Sequence, residues 1–85
     1  MKVSVIGTGY VGLVSGVCLS EKGHQVVCVD NDKLKVNKIN SSNSPIYEKG
    51  LDELLLKNID NGFIATVDLK NSVINSDISL LAVGT

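Results

Sequence analysis

The feature that most constrains this chain is a glycine-rich turn between an apolar strand and an apolar helix. A predicted strand over residues 3–6 runs directly into Gly7, Gly9 and Gly12, and a helical pattern follows at once. Gly7 lets the chain reverse as the strand ends, Gly9 leaves its backbone open to a phosphate, and Gly12 lets the helix lie close to the strand. The amino terminus of the helix adds N–H groups and a partial positive charge. This arrangement predicts a dinucleotide-binding turn.

An acidic residue at the end of the next strand supports the same interpretation. Residues 25–30 read as a second strand that ends in Asp30, and Asp30 follows Gly12 at close to the expected spacing of about 20 residues. A carboxylate there can accept hydrogen bonds from the adenosine ribose hydroxyls, and it repels the 2′-phosphate of NADP. The predicted cofactor is therefore NAD.

Composition excludes several other classes of partner. The 85 residues are 44% hydrophobic and 20% charged, with a formal net charge of −1 and few aromatic residues. This balance gives no basis for binding nucleic acid or an anionic membrane. The apolar runs have the length of strands, and the chain enters a strand directly after Met1, so we expect no membrane span, no signal peptide and a cytoplasmic location.

Strand and helix patterns alternate along the chain, which predicts an α/β Rossmann-type parallel sheet with helices on both faces. Four strands are predicted, at residues 3–6, 25–30, 63–67 and 78–83, in the spatial order 3-2-1-4. Helices are predicted over residues 10–22, from the N-cap Asp32 to about Ile39 with Leu34 among its apolar positions, and from Leu51 until Gly62. Asp68 can cap a short fourth helix. The polar residues 40–50 form a loop. We expect residues 1–85 to be the amino-terminal part of an NAD-binding Rossmann domain, without the second wall that strands five and six normally build.

The helices and strands also predict which side chains are buried. In the first helix Val11, Val14 and Cys18 fall on one apolar stripe, with Leu13 and Val17 beside it. Cys18 on this stripe and Cys28 within the second strand are both expected to be buried as small hydrophobic residues. Neither cysteine has a plausible base nearby, which argues against a redox pair or a nucleophile. His24 is expected at the surface.

Three motifs together give this chain a resemblance to a known family. The glycine turn and helix start at residues 7–13, the loop and helix at residues 44–55, and the strand end at residues 82–85 resemble the UDP-glucose/GDP-mannose dehydrogenases. The similarity spans all 85 residues, although Lys49 stands where that family usually has proline. The resemblance implies oxidation of the C6 alcohol of a nucleotide sugar to a carboxylate with two NAD, in a longer enzyme that holds the sugar substrate.

Candidate site residues follow from the motif and the resemblance together. No catalytic residue is assigned, because the family's catalytic Cys and Lys lie far downstream, and no metal ligands are expected. The residues expected to contact NAD are Gly7, Gly9, Tyr10, Val11, Gly12, Asp30, Lys35 and Thr85. Two of them have an alternative interpretation: Lys35 as an ordinary solvated lysine, and Tyr10 as a packing or loop residue.

Two other functional classes stay open at this point. One is a regulatory Rossmann module that senses NAD without chemistry, and the other is a different NAD enzyme of the hydroxyacyl-CoA or 6-phosphogluconate dehydrogenase type. The loop at residues 45–48 favours the nucleotide-sugar enzyme, because sensing modules keep that connection short. We also expect the fourth strand to form an exposed apolar edge through which the chain self-associates.

Overall fold

The computed structural model describes residues 1–43, 49–59 and 61–82, and these residues alternate between strands and helices. The loop motif at residues 44–48 and the strand end at residues 83–85 lie outside this range. The elements, in chain order, are β1 (Lys2–Ile6), α1 (Tyr10–Glu21), β2 (Gln25–Val29), α2 (Lys33–Asn40), α3 (Leu51–Asn58), β3 (Phe63–Thr66), α4 (Leu69–Ile74) and β4 (Ile78–Leu81).

The four strands form one parallel sheet in the order β3-β2-β1-β4, which confirms the predicted Rossmann-type topology. The register pairs Val5 of β1 with Cys28 of β2 and with Leu80 of β4. Because all strands run the same way, their carboxyl ends meet at one edge of the sheet. The glycine turn after β1 and Asp30 after β2 therefore lie side by side.

One face of the sheet carries the hydrophobic core. Helix α1 packs closely on β2, since a Cβ at Gly16 would lie 2.8 Å from the Cys28 Sγ and 3.1 Å from the Phe63 ring. Small residues on the helix therefore set how near it approaches the sheet. The fully buried apolar side chains of this core include Val5, Leu13, Val17, Val26, Cys28, Ile39, Leu55 and Phe63.

The prediction for Cys28 is confirmed, whereas the prediction for Cys18 is wrong. Cys28 is buried in β2, and burial raises the pKa of its thiol to about 12. Cys18 is exposed, and so is Val11 on the same predicted stripe. Apolar or small residues surround α1 on nearly every side, so their spacing did not mark the buried face. The close approach at Gly12 and Gly16 selects that face instead.

The second and third helices follow the predicted pattern with local differences. Asp32 caps α2, because its side chain accepts hydrogen bonds from the N–H groups of Leu34 at 3.0 Å and Lys35 at 3.4 Å. Leu34 itself is exposed rather than a core position. Helix α3 ends at Asn58, before the predicted stop at Gly62, which lies in the turn that leads into β3.

Helix α4 and strand β4 leave their apolar side chains largely exposed. Asp68 caps α4 as predicted, accepting from the Asn71 N–H at 3.1 Å. The helix buries Ser72 and exposes its three apolar residues. All four residues of β4 are exposed, at an edge of the sheet. In the described part of the chain, no helix has both the length and the apolar character needed to cross a bilayer.

Candidate cofactor-binding site

The glycine turn joins the carboxyl ends of β1 and β2. Gly7 has a φ of +109°, a backbone conformation that glycine adopts far more easily than other residues. Its N–H donates to the carbonyl oxygen of Val29 at 2.7 Å, which continues the ladder one step past the end of the strands. The turn is therefore fixed to β2 as well as to β1.

Gly12 lies where the first turn of α1 crosses back over the glycine turn. A Cβ at this position would lie 2.1 Å from the carbonyl oxygen of Gly7 and 3.1 Å from the Cβ of Ala82. Real atoms do not approach so closely, so any larger residue would push α1 away from the turn. The predicted close approach at Gly12 is present in the structure.

Gly9 differs from Gly12 because it faces open space. It is the N-cap residue of α1, with φ −70° and ψ −172°, which any residue can adopt. A Cβ there would meet no atom within 4 Å among the described residues. No side chain caps the helix at this position, and the first turn of α1 contains no acidic residue. The helix amino terminus thus offers its partial positive charge to an anion.

Tyr10 and Val11 begin α1 beside this opening, and both side chains are exposed. Both directly follow Gly9 in the chain, and their contact with NAD stays a prediction. Thr85, the other predicted cofactor contact near the strand ends, lies outside the described residues.

Asp30 follows β2 directly and is held by the chain itself. Its Oδ2 accepts hydrogen bonds from the Thr8 hydroxyl at 2.5 Å and from the Thr8 N–H at 3.2 Å, and its Oδ1 accepts from the Asp32 N–H at 2.9 Å. Partial burial raises the pKa of Asp30, but these hydrogen bonds and the charge of Lys35 outweigh it, so the pKa lies below its usual value. Asp30 is therefore ionised at neutral pH.

Lys35 lies one turn into α2 and is half-buried. Its charge contributes to the lowered pKa of Asp30, so the structure brings this predicted residue near the carboxylate. The prediction that Lys35 contacts NAD stays a prediction.

A cavity of about 250 Å³ lies beside Asp30 at the carboxyl edge of the sheet. Apolar side chains form most of its walls, and two of them are Val67, which directly follows β3, and Leu69, which begins α4. Sequence reasoning did not single them out, although apolar residues directly after a parallel strand lie at the same edge as Asp30. The cavity is lined by Ile6, Gly7, Val29, Asp30, Asn31, Val67 and Leu69.

Thr8 is another residue of the candidate site that the sequence did not single out. It is 1% exposed, and its side chain connects the glycine turn to Asp30. Its position between two glycines gives no sign of this contact. Only the parallel pairing of β1 and β2 brings residue 8 against residue 30.

These groups fit a dinucleotide and offer little for acid–base or metal chemistry. The open turn and uncapped helix suit a pyrophosphate, the ionised Asp30 suits ribose hydroxyls, and the apolar cavity suits an aromatic base. Among the described residues, no group of three or more His, Cys, Asp or Glu side chains could hold a metal ion. The arrangement is one for binding and orienting a cofactor.

Comparison with known proteins decides the family. Residues 1–85 match the model of the UDP-glucose/GDP-mannose dehydrogenase family, NAD binding domain. The chain belongs to this family. Its cofactor is accordingly NAD, as the sequence predicts.

Individual members of the UDP-glucose/GDP-mannose dehydrogenase family are similar along the whole chain. A UDP-glucose 6-dehydrogenase from Rhizobium meliloti (strain 1021) is 50% identical, and a GDP-mannose 6-dehydrogenase from Pseudomonas syringae pv. syringae is 45% identical; each comparison covers 100% of this chain and 20% of the relative. The crystal structure of a ternary complex of GDP-mannose dehydrogenase from Pseudomonas aeruginosa has a TM-score of 0.96 at 43% identity, covering 100% of this chain and 20% of that one. The chain thus spans about a fifth of the length of these relatives.

Proposed function

We propose that this chain is the amino-terminal, NAD-binding part of an enzyme that oxidises UDP-glucose to UDP-glucuronate with two NAD. The observation that carries the proposal is the glycine turn locked against an ionised Asp30 at the carboxyl ends of β1 and β2. The 50% identity to a UDP-glucose 6-dehydrogenase supports the choice of substrate.

In this proposal the pyrophosphate of NAD lies at Gly9 and the amino terminus of α1. The absence of a side chain at Gly9 and of a side-chain cap on the helix leaves room for the phosphates and their charge. The backbone of Val11 donates from the first turn, and Tyr10 borders the same opening. Replacing Gly9 by a bulky residue would fill this space without straining the backbone.

The adenosine half of NAD lies against Asp30 and the adjoining cavity. Asp30 accepts from the ribose hydroxyls, and its charge disfavours a 2′-phosphate. The apolar walls supplied by Val67 and Leu69 pack against the adenine. Lys35, whose charge acts on Asp30, contacts the same end of the cofactor. Thr85 is a further proposed contact, carried over from the sequence prediction.

The oxidising chemistry needs further groups that the described residues do not supply. Bound NAD supplies the hydride acceptor for the alcohol. The Cys28 thiol is buried with a pKa of about 12, so it cannot serve as a thiolate nucleophile. Cys18 lies in the later half of α1, away from the glycine turn. The nucleophile and the sugar-binding residues belong to the rest of the enzyme.

GDP-mannose is the second candidate substrate. The relative from Pseudomonas syringae and the structure from Pseudomonas aeruginosa are both named for GDP-mannose, at identities close to that of the UDP-glucose enzyme.

The sequence predicts a cytoplasmic location, and free cysteines agree with a reducing compartment. We also propose that the chain self-associates through the edge of β4.

The test is oxidation by the full-length protein with UDP-glucose and GDP-mannose in parallel. We expect NADH to form with UDP-glucose at a kcat/KM at least tenfold above that for GDP-mannose, with two NADH produced per sugar. A preference for GDP-mannose would replace the proposed substrate. Absence of NADH with any nucleotide sugar, in a protein that binds NAD, would favour a sensing module instead.

A further inference from the structure

We propose that Thr8 is a positioning residue that orients the Asp30 carboxylate and thereby sets the preference for NAD over NADP. The inference rests on the proposed function, in which Asp30 reads the ribose. It assigns a role to the Thr8 side chain, whereas the neighbouring glycines matter because they have no side chain.

The geometry around Thr8 is that of a two-point clamp. The hydroxyl and the backbone N–H of Thr8 both donate to Oδ2 of Asp30, at 2.5 and 3.2 Å. Thr8 is almost completely buried, so water cannot easily replace its hydroxyl. Two hydrogen bonds therefore link the turn proposed to face the pyrophosphate to the carboxylate proposed to face the ribose.

The clamp also determines which part of Asp30 remains for a ligand. A carboxylate has about four acceptor positions, and contacts within the chain occupy three of them: two from Thr8 at Oδ2 and one from Asp32 at Oδ1. The remaining capacity is on Oδ1. Thr8 thus holds the carboxylate with one oxygen anchored and the other available to a ribose hydroxyl.

One charged side chain acts on Asp30 in the same direction as the clamp: the charge of Lys35 from α2 lowers the pKa of Asp30. Asp32 lowers it through its backbone N–H, which donates to Oδ1, while the Asp32 carboxylate is turned to α2 and accepts from the N–H groups of Leu34 and Lys35. On the β1 side, the element that contacts Asp30 is the uncharged turn at Thr8. The hydroxyl of Thr8 is therefore the side-chain donor whose removal by substitution should most directly change the pKa of Asp30.

The experiment compares three variants of the full-length protein by titration with NAD and with NADP. Thr8→Val keeps the shape of the side chain and removes the hydroxyl, Thr8→Ser keeps the hydroxyl, and Ser4→Ala is the matched control. Ser4 is also buried and bonds through its hydroxyl, at 2.7 Å to Ser79, but it does not touch Asp30. Asp30→Ala gives the limiting case in which the carboxylate is absent.

We expect Thr8→Val to weaken NAD binding about tenfold and NADP binding much less, the effect of losing one hydrogen bond to a charged group. Thr8→Ser should stay within about twofold of wild type, and so should Ser4→Ala. If wild type prefers NAD and Thr8→Val shows the same ratio of NAD to NADP affinity, the inference is overturned while the proposed function stays intact. Failure of the wild type to bind NAD would instead overturn the proposed function.

A second readout separates positioning from a general loss of packing. Carboxyl carbon NMR against pH, with Asp30→Asn to assign the signal, reports the pKa of Asp30 directly. Thr8→Val should raise this pKa relative to wild type, because a donor to the ionised form is lost, whereas Ser4→Ala should leave it unchanged. An Asp30 pKa that is the same in Thr8→Val and wild type would contradict the proposed clamp.

Discussion

Two regions of this molecule are similarly apolar in sequence and differ sharply in structure. The first is the glycine-turn unit, formed by β1, α1 and β2, whose inward apolar side chains are almost completely buried. The second is the β4 flank, formed by α4 and β4, where Val73, Ile78 and Leu80 are each at least 40% exposed. Apolar character alone therefore does not decide burial, since a side chain also needs a neighbouring element to cover it.

The difference explains where the cofactor site lies. In the glycine-turn unit, Gly7, Thr8 and Asp30 directly follow two paired strands that pack against α1, and hydrogen bonds join Thr8 to Asp30. The carboxyl end of β4 lies at the same end of the sheet as the cofactor site, but the apolar side chains of the β4 flank are exposed. We expect substitutions in the first region to change folding and NAD binding, and substitutions of exposed side chains on β4 to change association. Leu69 at the start of α4 lines the cavity and belongs with the cofactor site.

The largest effect is expected from Gly12→Ala in the glycine-turn unit. One added methyl group would lie 2.1 Å from the Gly7 carbonyl oxygen, so α1 must move off the turn. We expect a loss of about 3 kcal/mol in the free energy of unfolding, measured by urea denaturation followed by circular dichroism.

Gly9→Ala is the matched control for this prediction. It adds the same methyl group three residues earlier, where no described atom lies within 4 Å. Its stability should stay within about 1 kcal/mol of wild type. Equal stability of the two variants would remove the distinction between a packing glycine and an open one.

The smaller effect is expected from Leu80→Lys in the β4 flank. Leu80 is 40% exposed at the sheet edge, so the substitution should change stability by less than about 1 kcal/mol while disfavouring edge-to-edge contact. Light scattering of the 85-residue chain over a concentration series should show a rising mass for wild type and a smaller rise for the variant. Leu56→Lys, at a 72% exposed site on α3, should behave like wild type. A wild-type chain that stays monomeric at high concentration would contradict the expected self-association.

Much of the fold could be predicted from the sequence because its signals are local. The strand–turn–helix pattern around Gly7 and the caps at Asp32 and Asp68 each depend on a few neighbouring residues. The strand order followed from the alternation of strands and helices together with the rule for parallel crossovers. The position of Asp30 beside the turn followed from the same topology.

What could not be predicted depends on contacts between distant residues. Cys18 was placed on the wrong face because α1 is apolar or small around nearly its whole circumference, and only its packing on β2 shows which face is buried. The contact between Thr8 and Asp30 needs the exact pairing of β1 with β2. The cavity walls at Val67 and Leu69 needed the placement of the connection after β3.

The most direct test of the account is NAD titration of full-length Gly9→Val by calorimetry, beside wild type. The open space at Gly9 means that valine should leave the fold intact, while its side chain occupies the place proposed for the pyrophosphate. We predict an NAD affinity at least tenfold weaker, about 1.4 kcal/mol, with a free energy of unfolding within about 1 kcal/mol of wild type. A folded Gly9→Val protein that binds NAD as tightly as wild type would contradict the assignment of this turn as the cofactor site.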